Sequence, residues 1–183
     1  MSLTLSNPRS DLPVATTPTV GAARLHTAEL ADIVAGLAQA EDLWRVHVVH
    51  DADQRARVRL LATPAYEVWL LGWTPGQSVG LHDHGGANAA FIVVDGTLTE
   101  TVAAEPTLRS GRGLVRHAIG AGGTGRVAAG QVHDIGNETA ALATSIHAYS
   151  KPLRSMGFFE TPAPEVRGHR VRTMWIDETP PLL

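Results

Sequence analysis

From Arg55 to Ser150 the chain is built of short apolar runs broken by glycine, proline, aspartate or asparagine. RARVRLLA alternates charged and apolar residues, AYEVWLLGW is an almost unbroken β-prone run, and AAFIVVDG, TLTETVAA, GLVRHAIG, GRVAAGQVHDIGN and LATSIHAYS follow. Runs of this length between turn formers predict the short strands of an all-β sandwich or barrel. Ahead of them the period changes. Thr27 is placed to cap a helix, Glu29 falls in its first turn, and Leu30, Ile33, Val34 and Leu37 recur at helical spacing. A second short helix is expected over Ala40 to Val48, with Leu43, Trp44 and His47 on one side. Residues 1–22, rich in Pro, Ser and Thr and without a period, read as a flexible arm before a single domain over 23–183. The tail VRTMWIDETPPLL is expected to add an edge strand through Trp175.

Composition narrows the partners. A chain of 183 residues, 44% hydrophobic, suits one domain with a sizeable core. A net charge of −3 and a pI near 6.3 give no electrostatic case for nucleic acid. Arg55, Arg57 and Arg59 form the nearest basic cluster, too small for a duplex footprint. With no cysteine, disulfides, thiolate metal sites and a cysteine nucleophile are excluded. The N-terminus lacks the basic-then-apolar pattern of a secretory signal, and no apolar run is long enough to span a membrane. A cytoplasmic monomer or small homo-oligomer, with no nucleic-acid or membrane partner, is expected.

Three of the nine histidines carry the chemistry. His82 and His84 stand at i and i+2, which puts both on one face of a strand. His133 follows in GQVHDIGN. Imidazole suits first-row metals, and three neutral imidazoles leave coordination positions open for water, substrate or dioxygen. Asp83, between the pair, points to the opposite face. Where a metal-binding barrel often carries a carboxylate, this chain has Gly85, Gly86, Ala87, Asn88 and Ala89. His26, His47, His50, His117 and His169 have no partner spacing and read as surface or core residues.

The glycine register around these histidines resembles the paired motifs of the cupin superfamily: Gly76, His82-x-His84 and Gly96, then Gly122, Gly130, His133 and Asn137. Two departures are Ala128 where the family usually has proline, and the absence of glutamate near Asn88 or Ala89. Ser145, His147 and Tyr149 in SIHAYSKPL alternate along one strand face. Together with HDH and DGTLTET they are similar to the thiol dioxygenases, the cysteine dioxygenase family of cupins, from about Arg57 to Phe159. The resemblance implies a double-stranded β-helix, mainly β, with N-terminal helices. It implies non-haem Fe(II) held by His82, His84 and His133 without a carboxylate, and a hydrogen-bonded catalytic group of Ser145, His147 and Tyr149. It implies dioxygen and a small thiol as substrates, L-cysteine first, with cysteine sulfinate as product and a place in cysteine catabolism.

The missing acid then has a rationale. Three neutral ligands leave the metal's 2+ charge uncompensated, which favours an anionic donor, and a metal deprotonates a thiol that it binds. Sulfur that gains both oxygens becomes a sulfinic acid. Vertebrate-type members join the active-site tyrosine to a cysteine, and here Ala89 stands at that position, so no such link forms. An amino-acid thiol also brings a carboxylate, for which arginine's planar fork is the natural partner. The family's arginine lies on the strand before a W-x-P-G turn, here Trp73-Thr74-Pro75-Gly76. Arg55, Arg57 and Arg59 share one face of that strand. Arg59 matches the R-L-L pattern best, with Arg57 second. Other readings are a dioxygenase for 3-mercaptopropionate or another thiol, a non-catalytic metal- or ligand-binding cupin, and a Zn(II) or Mn(II) cupin with hydrolytic or isomerase activity.

Overall fold

AYEVWLLGW is apolar at nearly every position because both its faces are covered. In the computed structural model, which describes residues 23–103, 114–160 and 170–175 (the last by backbone alone), this run forms β2, Glu67–Trp73, buried throughout. Val68 and Leu70 turn outward to meet Leu30, Ala31 and Val34 of helix α1, Thr27–Gln39. Trp69, Leu71 and Trp73 turn inward to join Phe91, Val93, Leu98, Val127 and Ile135. Two cores thus meet at one sheet, one under the helix and one between the sheets. A strand in that position loses the polar alternation of a half-solvated one.

The remaining strands are β1 (Ala56–Ala62), β3 (His82–Asp83), β4 (Asn88–Asp95), β5 (Thr97–Ala103), β6 (Leu114–Gly120), β7 (Thr124–Val127), β8 (Val132–Gly136), β9 (Ala143–Ser150), β10 (Ser155–Phe159) and β11 (Arg170–Trp175). They form two antiparallel sheets, β1-β2-β9-β4-β7 and β11-β10-β3-β8-β5-β6. Neighbours such as β2-β9, β9-β4 and β3-β8 are far apart in sequence, as the expected double-stranded β-helix requires. The tail strand through Trp175 forms at the edge of the larger sheet. The arm expected over 1–22 and His169 lie outside the described residues.

The helical layer departs from expectation after α1. Ala40 to Val48 is two 3-10 turns, Glu41–Leu43 and Arg45–His47, not a helix. Trp44 is buried against α1's core, but Leu43 and Val46 are 63% and 77% exposed. One buried anchor does not make the apolar stripe that holds a short helix to a sheet. At the start of α1, His26 rather than Thr27 is the cap residue, and its backbone N–H donates to Glu29 Oε2 at 2.7 Å.

Candidate metal centre and cavity

His82 is directly opposite His133 in the β3-β8 pair, and His84 follows as the chain leaves β3. The chain then turns through Gly85 (φ +58°) and Gly86 (φ +93°), in the left-handed region. A Cβ at Gly85 would come within 2.6 Å of the Ser155 carbonyl oxygen. Glycine is therefore required where a ligand acid is absent. Asn88 has a different job, with Nδ2 donating to Leu25 O at 2.8 Å and Oδ1 accepting from Ala129 N at 2.9 Å. Asp83 does point away from its neighbours, its Oδ1 accepting from Gly85 N and Gly157 N, both at 3.0 Å.

The three imidazoles are buried, and their ligand nitrogens lie within 4.8 Å of one another. His82 Nδ1 donates to Gly80 O at 2.7 Å, and His133 Nδ1 donates to Glu100 Oε1 at 2.8 Å. Each bond fixes a tautomer whose Nε2 carries a lone pair. His84 Nε2 stands 3.4 Å from His133 Nε2, and His84 Nδ1 is buried without a partner among the described residues. Protonation of His82 or His84 does not relieve these converging lone pairs. Burial, then the charge of His133, lowers the pKa of His82 to about 3 and holds that of His84 well below the ordinary value. A cation between the rings would relieve them, so the residues fit a metal with three nitrogen donors. The carboxylate missing from the ligand set stands one step behind it. Glu100, buried on β5, reaches His133 because β5 and β8 pair with Val102 opposite His133 and Ile135 opposite Glu100. In the sequence this segment gives a strand and the DGTLTET part of the family resemblance, and the strand pairing reveals the contact.

The cavity over these rings, about 70 Å³, is walled by both sheets. From β9, Ser145, His147 and Tyr149 face inward, opposite Leu71, Trp69 and Glu67 of β2. Trp73 Nε1 donates to Ser145 Oγ at 2.9 Å, and Ser145 Oγ is 2.8 Å from His147 Nε2. Indole N–H only donates, and the serine oxygen can accept from it while its own proton is given to His147 Nε2. In that tautomer the Nδ1–H of His147 faces Tyr149 Oη at 3.4 Å and the phenol O–H is left free to point into the cavity. Burial, and then Arg55, keep the His147 pKa well below its usual value, so the ring is neutral. Burial raises the Tyr149 pKa, so the phenol stays protonated. Trp73, which opens the W-x-P-G turn, anchors this run of hydrogen bonds. Ala89 lies directly opposite Tyr149, and Met156 also lines the cavity.

Of the three arginines, Arg55 and Arg57 line the cavity. Arg55 is half-buried, its guanidinium 5.0 Å from the centre of the Trp73 ring and its Nε without a partner among the described residues. Arg57 is exposed. Arg59 is buried, opposite Trp69 in the β1-β2 pair, with its guanidinium 5.7 Å from that ring, and is not among the lining residues. The strand register is irregular between Arg59 and Leu61, a departure from the ideal alternation that motif spacing assumes.

No helix among the described residues is long and apolar enough to cross a membrane. No curated protein matches the chain. The solved structure of TT1209 from Thermus thermophilus is similar at 18% identity and TM-score 0.51, over 59% of this chain and 93% of that one. Recombinant oxalate oxidase in complex with glycolate is similar at 20% identity and TM-score 0.50, over 59% of this chain and 56% of that one. At such identities the likeness is one of fold. The model of the family described as cysteine dioxygenase type I matches residues 10–161, which takes in the helix, both histidine motifs and the Ser145-His147-Tyr149 strand. On that match, over most of its length, the chain belongs to the cysteine dioxygenase type I family of the cupin superfamily.

Proposed function

We propose that this protein is a non-haem Fe(II) thiol dioxygenase acting on a small thiol, with L-cysteine as the first substrate to test. The observation that carries the reading is the convergence of three buried imidazoles, with no carboxylate among them, in a small cavity that also holds a protonated phenol and two arginines. Iron, when bound, supplies the redox chemistry that brings dioxygen and sulfur together. In the overall reaction the S–H and O–O bonds are lost and two S–O bonds form. Sulfur gives up four electrons, dioxygen takes them, and one proton is released, so no further reductant is required.

The chain's own residues orient this chemistry. His82, His84 and His133 hold the metal, the first and last fixed by Gly80 and Glu100. Arg55 and Arg57 are the candidates to pair with the substrate carboxylate. Arg59, favoured on its motif, then acts through Trp69, which it stacks against. Tyr149 donates its O–H to the reacting atoms, and His147, Ser145 and Trp73 hold that donor in place. Trp69, Leu71, Val79 and Ile135 keep bulk water out.

The test is oxygen uptake by iron-loaded protein given L-cysteine, with products identified by mass. Uptake and a product with two added oxygen atoms are expected, and Tyr149→Phe should lower kcat about 10- to 100-fold, the worth of one charge-assisted hydrogen bond. No uptake with any small thiol at full iron occupancy would sink this reading and favour a metal-binding module.

A further inference from the structure

Two pairings fix the register between β8 and the segment that leads into β3. Ser78 is opposite Gly136, and His82 is opposite His133. The stretch from Ser78 to His82 therefore carries one more residue than the part of β8 it faces. Such a bulge takes backbone groups off the ladder and re-aims a nearby side chain. Val79 keeps a ladder bond, its N–H donating to Ile135 O at 3.1 Å. Gly80, in the left-handed region at φ +82°, meets side chains instead. Its N–H donates to Asp134 Oδ1 at 2.9 Å, and its carbonyl accepts from His82 Nδ1 at 2.7 Å. Ser78 Oγ closes the arrangement. It accepts from Gly80 N at 3.0 Å and donates to the Asp134 carboxylate, 2.9 and 3.0 Å from its two oxygens. Asp134 alternates with His133 along β8, so it turns away from the cavity and is not among the lining residues.

We propose that Asp134 is a positioning residue for the three-histidine centre: its carboxylate pins the backbone at Gly80, so that the Gly80 carbonyl holds His82 in the tautomer whose Nε2 is free to bind a metal. The proposal rests on the reading of His82, His84 and His133 as metal ligands. Glycine resists backbone rotation least of all residues, so a tethered N–H is what keeps its carbonyl aimed. The two anchored histidines are thus supported differently. His133 bonds directly to a carboxylate, Glu100, whereas His82 bonds to a backbone carbonyl that a carboxylate on the far face of the sheet keeps in place. Asp134 touches no ligand nitrogen and acts only through Gly80.

The test compares full-length wild type with Asp134→Asn, Asp134→Ala and Ser78→Ala. Isotope-labelled histidines are observed by NMR in the metal-free proteins, and Fe(II) affinity is measured by chelator competition without oxygen. Asparagine keeps an oxygen for Gly80 N but no charge, and alanine keeps neither. In Asp134→Ala the His82 Nδ1–H should exchange with solvent faster than in wild type, while the His133 Nδ1–H, held by Glu100, is unchanged. Fe(II) binding should weaken about 10-fold, the low end for a group behind a ligand, with Asp134→Asn within about threefold of wild type. His133 is the internal control, because a general loosening of β8 would move both signals. Ser78→Ala alters an exposed side chain, so it carries the same test if Asp134→Ala does not fold, with His82 again disturbed and His133 not. Equal changes at both histidines, an undisturbed His82, or a loss in Asp134→Asn as large as in Asp134→Ala would overturn the proposal, the last by assigning the effect to charge. A His82 signal that depends on Asp134 in a protein that binds no Fe(II) would uphold the role of Asp134 and refute the metal reading. Fe(II) bound equally by all four proteins, with His82 undisturbed, would do the reverse.

Discussion

His133 shows how one side chain can have its character set by a residue that does not touch the reactive centre. Its Nδ1–H is committed to Glu100 at 2.8 Å, which fixes the tautomer and makes the other nitrogen a better donor. Glu100→Gln should therefore weaken metal binding about 10- to 100-fold in chelator competition while leaving the three imidazoles in place. The ligand set itself is legible in the sequence, because two histidines at i and i+2 and a third in a glycine-marked register need only strand periodicity to be brought together. Glu100 is not legible in that way. It acts across a strand pairing, β5 with β8, that no local pattern states. The arginines fall between these cases. Alternation put all three on one face of the strand, but cavity shape and the aromatic rings beside them decide which can reach a ligand.

At the scale of elements, the strand most exposed to misreading is β7, Thr124–Val127, where Gly125 faces Phe91 of β4. A Cβ at Gly125 would lie 2.2 Å from Phe91 Cε1. Phe91 in turn stacks on His147, with ring centroids 5.0 Å apart and planes 15° from parallel. Gly125→Ala should cost about 1–3 kcal/mol of stability, read as a lower urea midpoint. It should also lower turnover, because the ring it displaces supports the imidazole behind Tyr149. The strands were readable from apolar runs and turn residues, and α1 from its period. The segment Ala40 to Val48 was not, because a single buried tryptophan imitates an amphipathic face when the neighbouring apolar residues are in fact exposed.

Across the whole molecule, the buried histidines tie stability to pH. The pKa values of His82, His84 and His147 are all lowered by burial, so the unfolded chain binds more protons than the folded one below about pH 6.5. Their contribution to stability is complete above that value and declines as the pH falls, for His82 through the window down to about 3. Each such group adds a slope of up to about 1.4 kcal/mol per pH unit. Urea midpoints of the metal-free protein should therefore fall between about pH 7 and about pH 5.5, and a bound metal should delay that fall, since it competes with protons for the same nitrogens. The topology has a separate consequence. The three clustered histidines come from β3, the turn after it and β8 in one sheet, whereas Ser145, His147 and Tyr149 come from β9 in the other. The fold thus works like a vice, with the grip on one jaw and the tool on the other. On the proposed function, slackening between the jaws would shift the phenol's aim without loosening the hold on the ion, so occupancy and turnover would vary independently, and a fully loaded protein could still be a slow one.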